Sequence, residues 1–239
     1  DTTEIHRLEK IRTDFVANAS HELRTPITAI KGFSETLLDG AMYDPDALKE
    51  FLDIIYKEST RLDYIVNDIL QISKLEQKAV PMNLEKVNVT DVVEEVSQIL
   101  KQKMEIKNMN FHFDADKELI LETSEDQLKQ ILINLVHNAI SYTPDKGEIS
   151  IELEETETQG IIRVIDNGIG MEPSEIDRIF ERFYRIDKGR SRNVGGTGLG
   201  LSIVRWLVDN LHGQIEVESE LDKGSTFTVI LPKKFESEE

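Results

Sequence analysis

The sequence predicts an α+β protein with two domains, an antiparallel helical hairpin at the N-terminal end and an α/β sandwich at the C-terminal end. Two patterns lead to this prediction. Apolar residues recur at steps of three and four from Ile5 to Leu38 and from Leu48 to Ile72, as in helices with one buried stripe. Beyond Gln77, apolar and polar residues alternate as in half-buried strands, in the segments 149–153, 161–165, 215–217 and 227–231.

The hairpin is the predicted first domain, residues 1–78. The stretch DGAMYD, residues 39–44, interrupts the first apolar stripe, and Asp44 followed by Pro45 offers an N-cap with proline at the first helical position. Two helices alone bury both of their apolar stripes poorly. The sequence therefore favours a homodimer in which two hairpins form a four-helix bundle.

Residues 79–88 are the predicted linker, with a short strand, and residues 89–235 are the predicted second domain, a mixed sheet with helices on one face. Thr90 is expected to cap a helix that runs to about Lys107, and short strands are expected near residues 111 and 119. The stretch SEDQ, residues 124–127, has the capping-box pattern that begins another helix.

Composition excludes several classes of function. The formal charge of -18, from 46 acidic and 28 basic residues among 239, disfavours a general binder of nucleic acid or of acidic membranes. The absence of cysteine excludes disulfides and thiolate metal sites and fits a reducing compartment. No apolar run approaches the roughly 20 residues of a membrane span. The chain opens in mid-pattern, so we expect a piece of a longer protein.

The stretch SHELRTP, residues 20–26, places an unusual group of side chains inside the first helix. Pro26 removes a backbone hydrogen bond there, which costs about 3 kcal/mol. His21 lies two positions from the stripe residues on either side, so its imidazole points away from the stripe, with Glu22 beside it and Thr25 one turn further on. An exposed imidazole beside a carboxylate is a candidate nucleophile and base. An ordinary surface histidine is the alternative, with equal weight.

Polar residues at one-turn spacing border the apolar stripe of a later helix. Asn134, Asn138 and Tyr142 lie in the stretch NLVHNAISYTP. Amide oxygens at this spacing can hold a hard cation such as Mg²⁺, which prefers oxygen ligands. Taken alone, an ordinary polar helix edge is the favoured alternative.

Two glycine-rich turns and a basic segment suggest an anionic ligand. DNGIGM places Asp166 at a strand end before Gly168 and Gly170, where the backbone can approach a ligand closely. GGTGLG opens a helix whose N-terminal amides suit phosphate, and neither turn is a P-loop, because no Lys followed by Ser or Thr comes after the glycines. Residues 177–192 hold six basic residues in a strongly acidic chain. A solvated loop is the alternative for that segment.

Together these stretches resemble the sensor histidine kinases of bacterial two-component systems, over nearly the whole chain. FVANASHELRTPITAIKGF is similar to the phosphoacceptor histidine box and QLKQILINLVHNAISYTP to the asparagine box. DNGIGM, IFERFYRID and GGTGLGLSIV are similar to the first glycine box, the phenylalanine box and the second glycine box, in the family's order. IKGFSETLLDGA and NLVHNAISYTP look closest to the phosphate-responsive PhoR type.

The resemblance implies an activity and the residues of its first step. It implies that His21 is phosphorylated from ATP with Glu22 as general base, and that the phosphoryl group then passes to an aspartate in the receiver domain of a response regulator. It implies that Thr25 helps to place a water for dephosphorylation of that regulator. Pro26 then lets the helix bend between these activities. The implied location is the cytoplasmic part of a bacterial membrane sensor.

The resemblance also implies a site for ATP and Mg²⁺ with the fold of histidine kinases and gyrase-type ATPases. Asn134 and Asn138 hold Mg²⁺ and phosphate, Tyr142 packs beside the adenine, Asp166 accepts from the adenine amino group, and residues 188–195 form a lid over the nucleotide. The other residues implied to bind ATP are Gly168, Gly170, Arg185, Lys188, Gly196, Gly198, Gly200, Leu201 and Thr226.

One position departs from the family, and two other functions stay open. Ser141 stands where many members carry lysine, which leaves more of the phosphate contact to Arg185 and the lid. The first alternative is an ATPase of the gyrase, mismatch-repair or chaperone type, which carries a catalytic carboxylate in the asparagine helix. The second is a dimeric helical scaffold with a degenerate nucleotide pocket, which a nucleotide-binding assay distinguishes.

Overall fold

The computed structural model describes residues 2–76, 83–186 and 196–234, with the backbone alone for residues 2–12, 75 and 76. The chain folds into two compact units, one built on two long helices and the other on β-sheets. None of the helices in the described ranges combines the length and the apolar character needed to cross a lipid bilayer.

The first unit is a helical hairpin. Helix α1 (Thr2–Leu38) and helix α2 (Pro45–Glu76) are joined by a turn that contains a short 3-10 helix (Ala41–Tyr43). As the sequence predicts, Asp44 caps α2, because its Oδ1 accepts hydrogen bonds from the backbone N–H of Asp46 at 3.0 Å and of the next residue at 3.3 Å.

The hairpin buries only part of its two predicted stripes. Ile65 and Ile72 of α2 are buried, and the rings of Phe33 and Phe51 contact each other across the helices with centroids 5.1 Å apart. Leu52, predicted to lie in the buried stripe, is instead 51% exposed. One helix can cover only a narrow strip of its neighbour, so the flanks of each stripe stay in solvent.

The second unit contains three helices and two sheets. Its helices are α3 (Val89–Ile106), α4 (Glu125–Tyr142) and α5 (Gly200–Asn210). Its strands are β1 (Glu85–Asn88), β2 (Asn110–Phe113), β3 (Ile120–Thr123), β4 (Glu148–Glu155), β5 (Gln159–Asp166), β6 (Gln214–Glu220) and β7 (Gly224–Pro232).

The larger sheet has the strand order β2-β4-β5-β7-β6, and β1 pairs with β3 in a separate two-stranded sheet. Strand β2 is parallel to β4, whereas the other neighbours in the larger sheet are antiparallel. Helix α4 packs against α3 and α5 and buries an apolar face that includes Leu128, Ile131 and Leu135. On β6, at the end of the sheet, exposed Glu216 and Glu218 alternate with half-buried residues.

Two predicted helix starts differ in detail. Helix α3 is capped by Asn88, whose side chain accepts from the N–H of Thr90 at 3.2 Å, so Thr90 lies inside the first turn and is not the cap. The Thr90 hydroxyl donates instead to the carbonyl of Lys117, a contact that the local sequence does not reveal. Ser124 stands at the N-cap of α4 without a capping hydrogen bond from its side chain. Glu125 and another acidic residue of the first turn favour the positive end of that helix.

Candidate functional site

The predicted nucleophile lies on the solvent side of α1. His21 is exposed, as its helical position predicts, whereas Pro26 is buried. The hydroxyl of Thr25 donates to the backbone carbonyl of His21 at 3.3 Å. Two further hydroxyls, at positions 20 and 28, make the same bond to the carbonyl four residues earlier, each at 2.8 Å. Bonds of this kind tend to bend helices. Besides Pro26, these hydroxyls therefore favour a bend in this part of α1.

The carboxylate next to His21 is bound to the other helix of the hairpin. Glu22 Oε2 accepts from Nη2 of Arg61 at 3.0 Å, and the Arg61 side chain on α2 is only 7% exposed. Glu58 lies further away, with its Oε2 3.9 Å from Nη1 of Arg61. The structure thus brings Glu22 together with an arginine 39 residues later, which the periodicity of the sequence does not predict.

The polar edge of α4 is half-buried, in line with its position beside the apolar stripe. The side-chain Oδ1 of Asn134 accepts from Gln130 Nε2 at 3.1 Å, and its Nδ2 donates to the carbonyl of Gly200 at 3.3 Å. Asn138 and Tyr142 follow on the same edge at one-turn spacing. Asn134, the first member of the predicted asparagine pair, is therefore linked to the first residue of α5.

Asp166 ends β5 in a buried position, with 7% of its surface exposed. Burial raises the pKa of its carboxyl group, while backbone hydrogen bonds from Gly168 and Ser225 and the hydroxyl of Thr143 act in the opposite direction. The bond from the Gly168 N–H to Oδ1 is 2.8 Å long. The Asp166 carboxyl group is thus shielded from water. A hydrogen bond from a ligand to this group would be stronger than the same bond in water.

The two glycines after Asp166 stand where an added side chain would overlap other atoms of the chain. A Cβ on Gly168 would lie 2.6 Å from the Tyr142 carbonyl oxygen and 2.6 Å from Asp166 Oδ1. Gly170 has φ +61°, and a Cβ there would lie 1.9 Å from the carbonyl oxygen of Glu220. The folded chain itself therefore requires both glycines, a reason separate from the predicted admission of a ligand.

Lys107, the residue at the C-cap of α3, binds the end of α4. The ammonium of Lys107 donates to the backbone carbonyls of Ile140 at 2.7 Å, Thr143 at 2.9 Å and Ser141 at 3.4 Å. Burial lowers the pKa of Lys107, and the charge of Asp145 opposes that effect. These carbonyls have no partner within the helix, so the ammonium satisfies its C-terminus. Ser141 of α4 stands where many members of the family carry lysine, and the lysine found at this helix end is Lys107, which follows α3 and binds backbone carbonyls.

The same helix end is joined to the first glycine turn and lies near Arg185. The Tyr142 carbonyl accepts from the Ile169 N–H at 3.1 Å. Burial raises the pKa of the Tyr142 hydroxyl, and the positive charge of Arg185 opposes the effect. The structure thus brings four predicted residues of one site, Tyr142, Asp166, Gly168 and Arg185, around the end of α4 and the end of β5.

The remaining predicted residues belong to the second glycine turn and to β7. Gly198 has φ +75°, Gly200 begins α5, and Leu201 is half-buried in that helix. Thr226 on β7 lies opposite Ile165 on β5. Gly196 precedes α5 in an irregular segment. Lys188 and the predicted lid, residues 188–195, lie outside the described residues.

The side chains present fit the amino group of an adenine nucleotide. The buried Asp166 carboxyl group can accept from an amino group, and the buried Thr143 Oγ1 finds no hydrogen bond of good geometry among the described residues. The described residues hold no group of three or more His, Cys, Asp or Glu side chains suited to a metal ion. A cation here would therefore depend on amide oxygens, such as that of Asn138, and on the nucleotide's own phosphates.

Known families match both parts of the chain. Residues 11–78 match the family described as "His Kinase A (phospho-acceptor) domain", and residues 123–234 match the family described as "Histidine kinase-, DNA gyrase B-, and HSP90-like ATPase". Sensor protein SrrB of Staphylococcus aureus is 36% identical over 233 residues, which are 98% of this chain and 40% of that protein. The chain thus spans less than half the length of this relative.

Solved structures of similar proteins cover the fold. The catalytic domain of histidine kinase ThkA is 32% identical with a TM-score of 0.56, over 65% of this chain and 100% of that chain. ThkA in complex with response regulator protein TrrA is 29% identical with a TM-score of 0.77, over 95% of this chain and 64% of that chain. Histidine kinase AdeS of Acinetobacter baumannii is 26% identical with a TM-score of 0.71, over 89% of this chain and 98% of that chain. These likenesses confirm the predicted fold class, while the PhoR-type flavour stays a prediction.

Proposed function

Because this chain belongs to the sensor histidine kinase family, we propose that it is the catalytic core of a kinase that phosphorylates its own His21 from ATP. The phosphoryl group then passes to an aspartate in the receiver domain of a response regulator. One observation carries the proposal: a single chain holds an exposed histidine inside the match to the phosphoacceptor family and a buried Asp166 inside the match to the ATPase family.

The chemistry at His21 is an in-line displacement at phosphorus. An imidazole nitrogen attacks the γ-phosphorus of ATP, a P–N bond forms, the bond from that phosphorus to the bridging oxygen breaks, and ADP leaves. The imidazole proton goes to the carboxylate of Glu22, which acts as general base. Exposure of His21 suits a nucleophile that two different partners must reach in turn.

The proposed nucleotide site lies around the end of α4. Asp166 accepts from the amino group of adenine, Tyr142 packs beside the base, and Arg185 contacts phosphate. The amide oxygens of Asn134 and Asn138 would hold Mg²⁺, and the bound ion would neutralise charge on the phosphates. Because Asn134 is already bonded to Gln130 and Gly200, Asn138 is expected to supply the more available oxygen.

The test of this proposal is incubation with γ-labelled ATP. We expect a label on the parent chain that is lost in acid and kept in alkali, as for phosphohistidine, and no label on His21→Ala, which should still bind ATP. His112→Ala, which changes an exposed histidine on β2, is the matched control and should be labelled as the parent is. Label on His21→Ala, or ATP consumption with no labelled protein, would reject His21 as the acceptor and favour the ATPase alternative.

We further propose that the chain dephosphorylates the same regulator. Thr25 would orient a water toward the phosphoaspartate, for which its hydroxyl must leave the His21 carbonyl, a bond that is long at 3.3 Å. Thr25→Ala should retain autophosphorylation and lose most dephosphorylation, whereas Glu22→Ala should lose autophosphorylation first. The decay of label on purified phospho-regulator, with kinase and ADP, measures this. Equal dephosphorylation by the parent and Thr25→Ala would contradict the role.

Two further properties belong to the proposal. The hairpin forms a homodimer, which is supported by the exposed apolar side chains it leaves, among them Leu52 at 51% and Tyr56 at 72%. Sedimentation equilibrium should give twice the mass of 27.3 kDa. The longer protein is proposed to be a membrane sensor with this chain on the cytoplasmic side.

A further inference from the structure

The ion pair between Glu22 and Arg61 joins the two helices of the hairpin directly beside the proposed nucleophile. Arg61 is 7% exposed at its side chain and Glu22 is 24% exposed, with Arg61 Nη2 3.0 Å from Glu22 Oε2. We infer that Arg61 is a positioning residue for phosphorylation of His21: it holds the Glu22 carboxylate in the orientation from which that carboxylate takes the imidazole proton. This inference rests on the proposed function.

Stability alone is a poor explanation for the buried guanidinium. Removing an arginine from water is costly, and replacing a buried ion pair by apolar side chains is often neutral or even stabilising. The pairing of Arg61 is also incomplete. Its Nε finds no hydrogen bond among the described residues, and Glu58 Oε2 lies 3.9 Å from Nη1. A hairpin that only needed to pack could place an apolar residue at this position of α2.

The contact suits the requirements of a general base. A glutamate side chain has three rotatable bonds, so an exposed Glu22 would sample many orientations, only some of them within reach of a neighbouring imidazole. Arg61 binds one carboxylate oxygen, Oε2, by a charge-assisted hydrogen bond of 3.0 Å. The other oxygen, Oε1, remains available for the proton. Fixing one oxygen thus preorganises the base, as supporting residues do in other catalytic sites.

The position of Arg61 in the hairpin adds a second consequence. Arg61 lies on α2, whereas Glu22 lies on α1 within one turn of the buried Pro26. Bending of α1 near the proline would change the distance between Glu22 and α2. Arg61 therefore makes the orientation of the base depend on the relative position of the two helices.

The test is a double-mutant cycle on autophosphorylation. Arg61→Met removes the charge at similar length, and Glu22→Gln removes the base. We expect Arg61→Met to lower the rate of labelling by about 10- to 100-fold, within the range for general-base catalysis, with the KM for ATP unchanged within twofold. On the Glu22→Gln background, Arg61→Met should cause no further loss, because there is no longer a base to orient.

Two further variants separate positioning from a general effect on the hairpin. Arg61→Lys keeps the cation but not the planar fork, so we expect it to restore part of the rate that Arg61→Met loses. Lys57→Met is the matched control: Lys57 is a cation one turn earlier on α2, exposed and paired with Asp53. It should label at the parent rate. Circular dichroism and sedimentation check that each variant keeps the helices and the oligomeric state of the parent.

The outcomes distinguish the two proposals. Labelling of Arg61→Met at the parent rate would overturn the inference, and so would equal fold-losses from Arg61→Met in the parent and Glu22→Gln backgrounds, since a purely structural role acts in both. A parent chain without acid-labile, alkali-stable label would instead overturn the proposed function, and the role of Arg61 would fall with it.

Discussion

The two ends of the proposed reaction are built in opposite ways. His21 is exposed on one long helix, and the hydroxyls around it bond back to the same helix. Asp166 is buried, accepts hydrogen bonds from Gly168 and Ser225, and stands beside the hydroxyl of Thr143. A group that must meet a nucleotide and then a second protein has to stay accessible, whereas a group that recognises one ligand gains from being fixed in advance. Substitutions should therefore be tolerated very differently in the two units.

The largest expected difference concerns glycine in the sheet unit. Gly170→Ala would place a Cβ 1.9 Å from the Glu220 carbonyl oxygen, at a residue with φ +61°. We expect a loss of at least about 3 kcal/mol in the free energy of unfolding, from the overlap together with the strained backbone. Fluorescence of Trp206, the single tryptophan of the chain, on α5, follows urea unfolding of this unit. A loss below 1 kcal/mol would show that the turn yields easily.

A histidine on α4, His137, should make the stability of the sheet unit depend on pH. Burial, assisted by the positive charge of Lys103, lowers the pKa of His137 from 6.5 to about 4. Between these values the unfolded chain binds the proton more readily than the folded one, so the free energy of unfolding should fall as the pH drops from about 6.5 to 4. The upper limit of this effect is about 3 kcal/mol.

The control for that effect is His137→Gln, which cannot titrate. Urea unfolding of both proteins at pH 7 and pH 4, followed through Trp206, gives the difference in their pH dependence and cancels the other titrating groups. We expect the variant to lose less stability than the parent on acidification. Parallel pH profiles would contradict the lowered pKa of the half-buried His137.

A smaller effect is expected for recognition of the base. Asp166→Asn replaces the proposed acceptor of the adenine amino group by an amide, and a charge-assisted hydrogen bond of this kind contributes about 1.5–3 kcal/mol. ATP affinity should fall by roughly 10- to 100-fold, and GTP affinity should fall less. Asp209→Asn, an exposed change on α5, is the control and should leave both affinities unchanged. Equal losses for ATP and GTP would contradict base reading.

The smallest effect is expected for glycine in the hairpin. Gly32 lies inside α1, and a Cβ added there has no atom of the chain within 4 Å. Gly32→Ala should therefore raise the free energy of unfolding by about 0.5–1 kcal/mol, because alanine loses less backbone freedom in a helix. Helical circular dichroism during thermal unfolding measures the change. A lower melting temperature would indicate that a second hairpin fills this space.

Local patterns predicted much of the architecture. The two apolar stripes gave the helices of the hairpin, since a period of 3.6 needs only neighbours along the chain, and Asp44 caps α2 as its position before proline predicts. The exposed position of His21 follows from the same period. The predicted N-cap of α3, Thr90, is wrong by two residues, because the hydroxyl of Thr90 donates to the distant carbonyl of Lys117.

Contacts between distant residues could not be predicted from periodicity. Arg61 reaches Glu22 across 39 residues, and Lys107 binds the end of α4 more than 30 residues later. Both are ordinary basic residues in their local sequence, and only the packing of two helices sets them against their partners. The glycines after Asp166 were predicted for a ligand, while the structure adds a requirement of the fold itself. No local pattern in the sequence indicates the partner of Arg61 or of Lys107.

The exposed glutamates of β6 affect how two copies of this chain can associate. Joining two hairpins would hold two sheet units at millimolar effective concentration, and an open sheet edge at that concentration is a template for strand addition. Exposed Glu216 and Glu218 give this end strand a negative charge on one face. Repulsion between two such strands opposes edge-to-edge pairing of the sheets, so any self-association of this chain is expected to use the hairpin rather than β6.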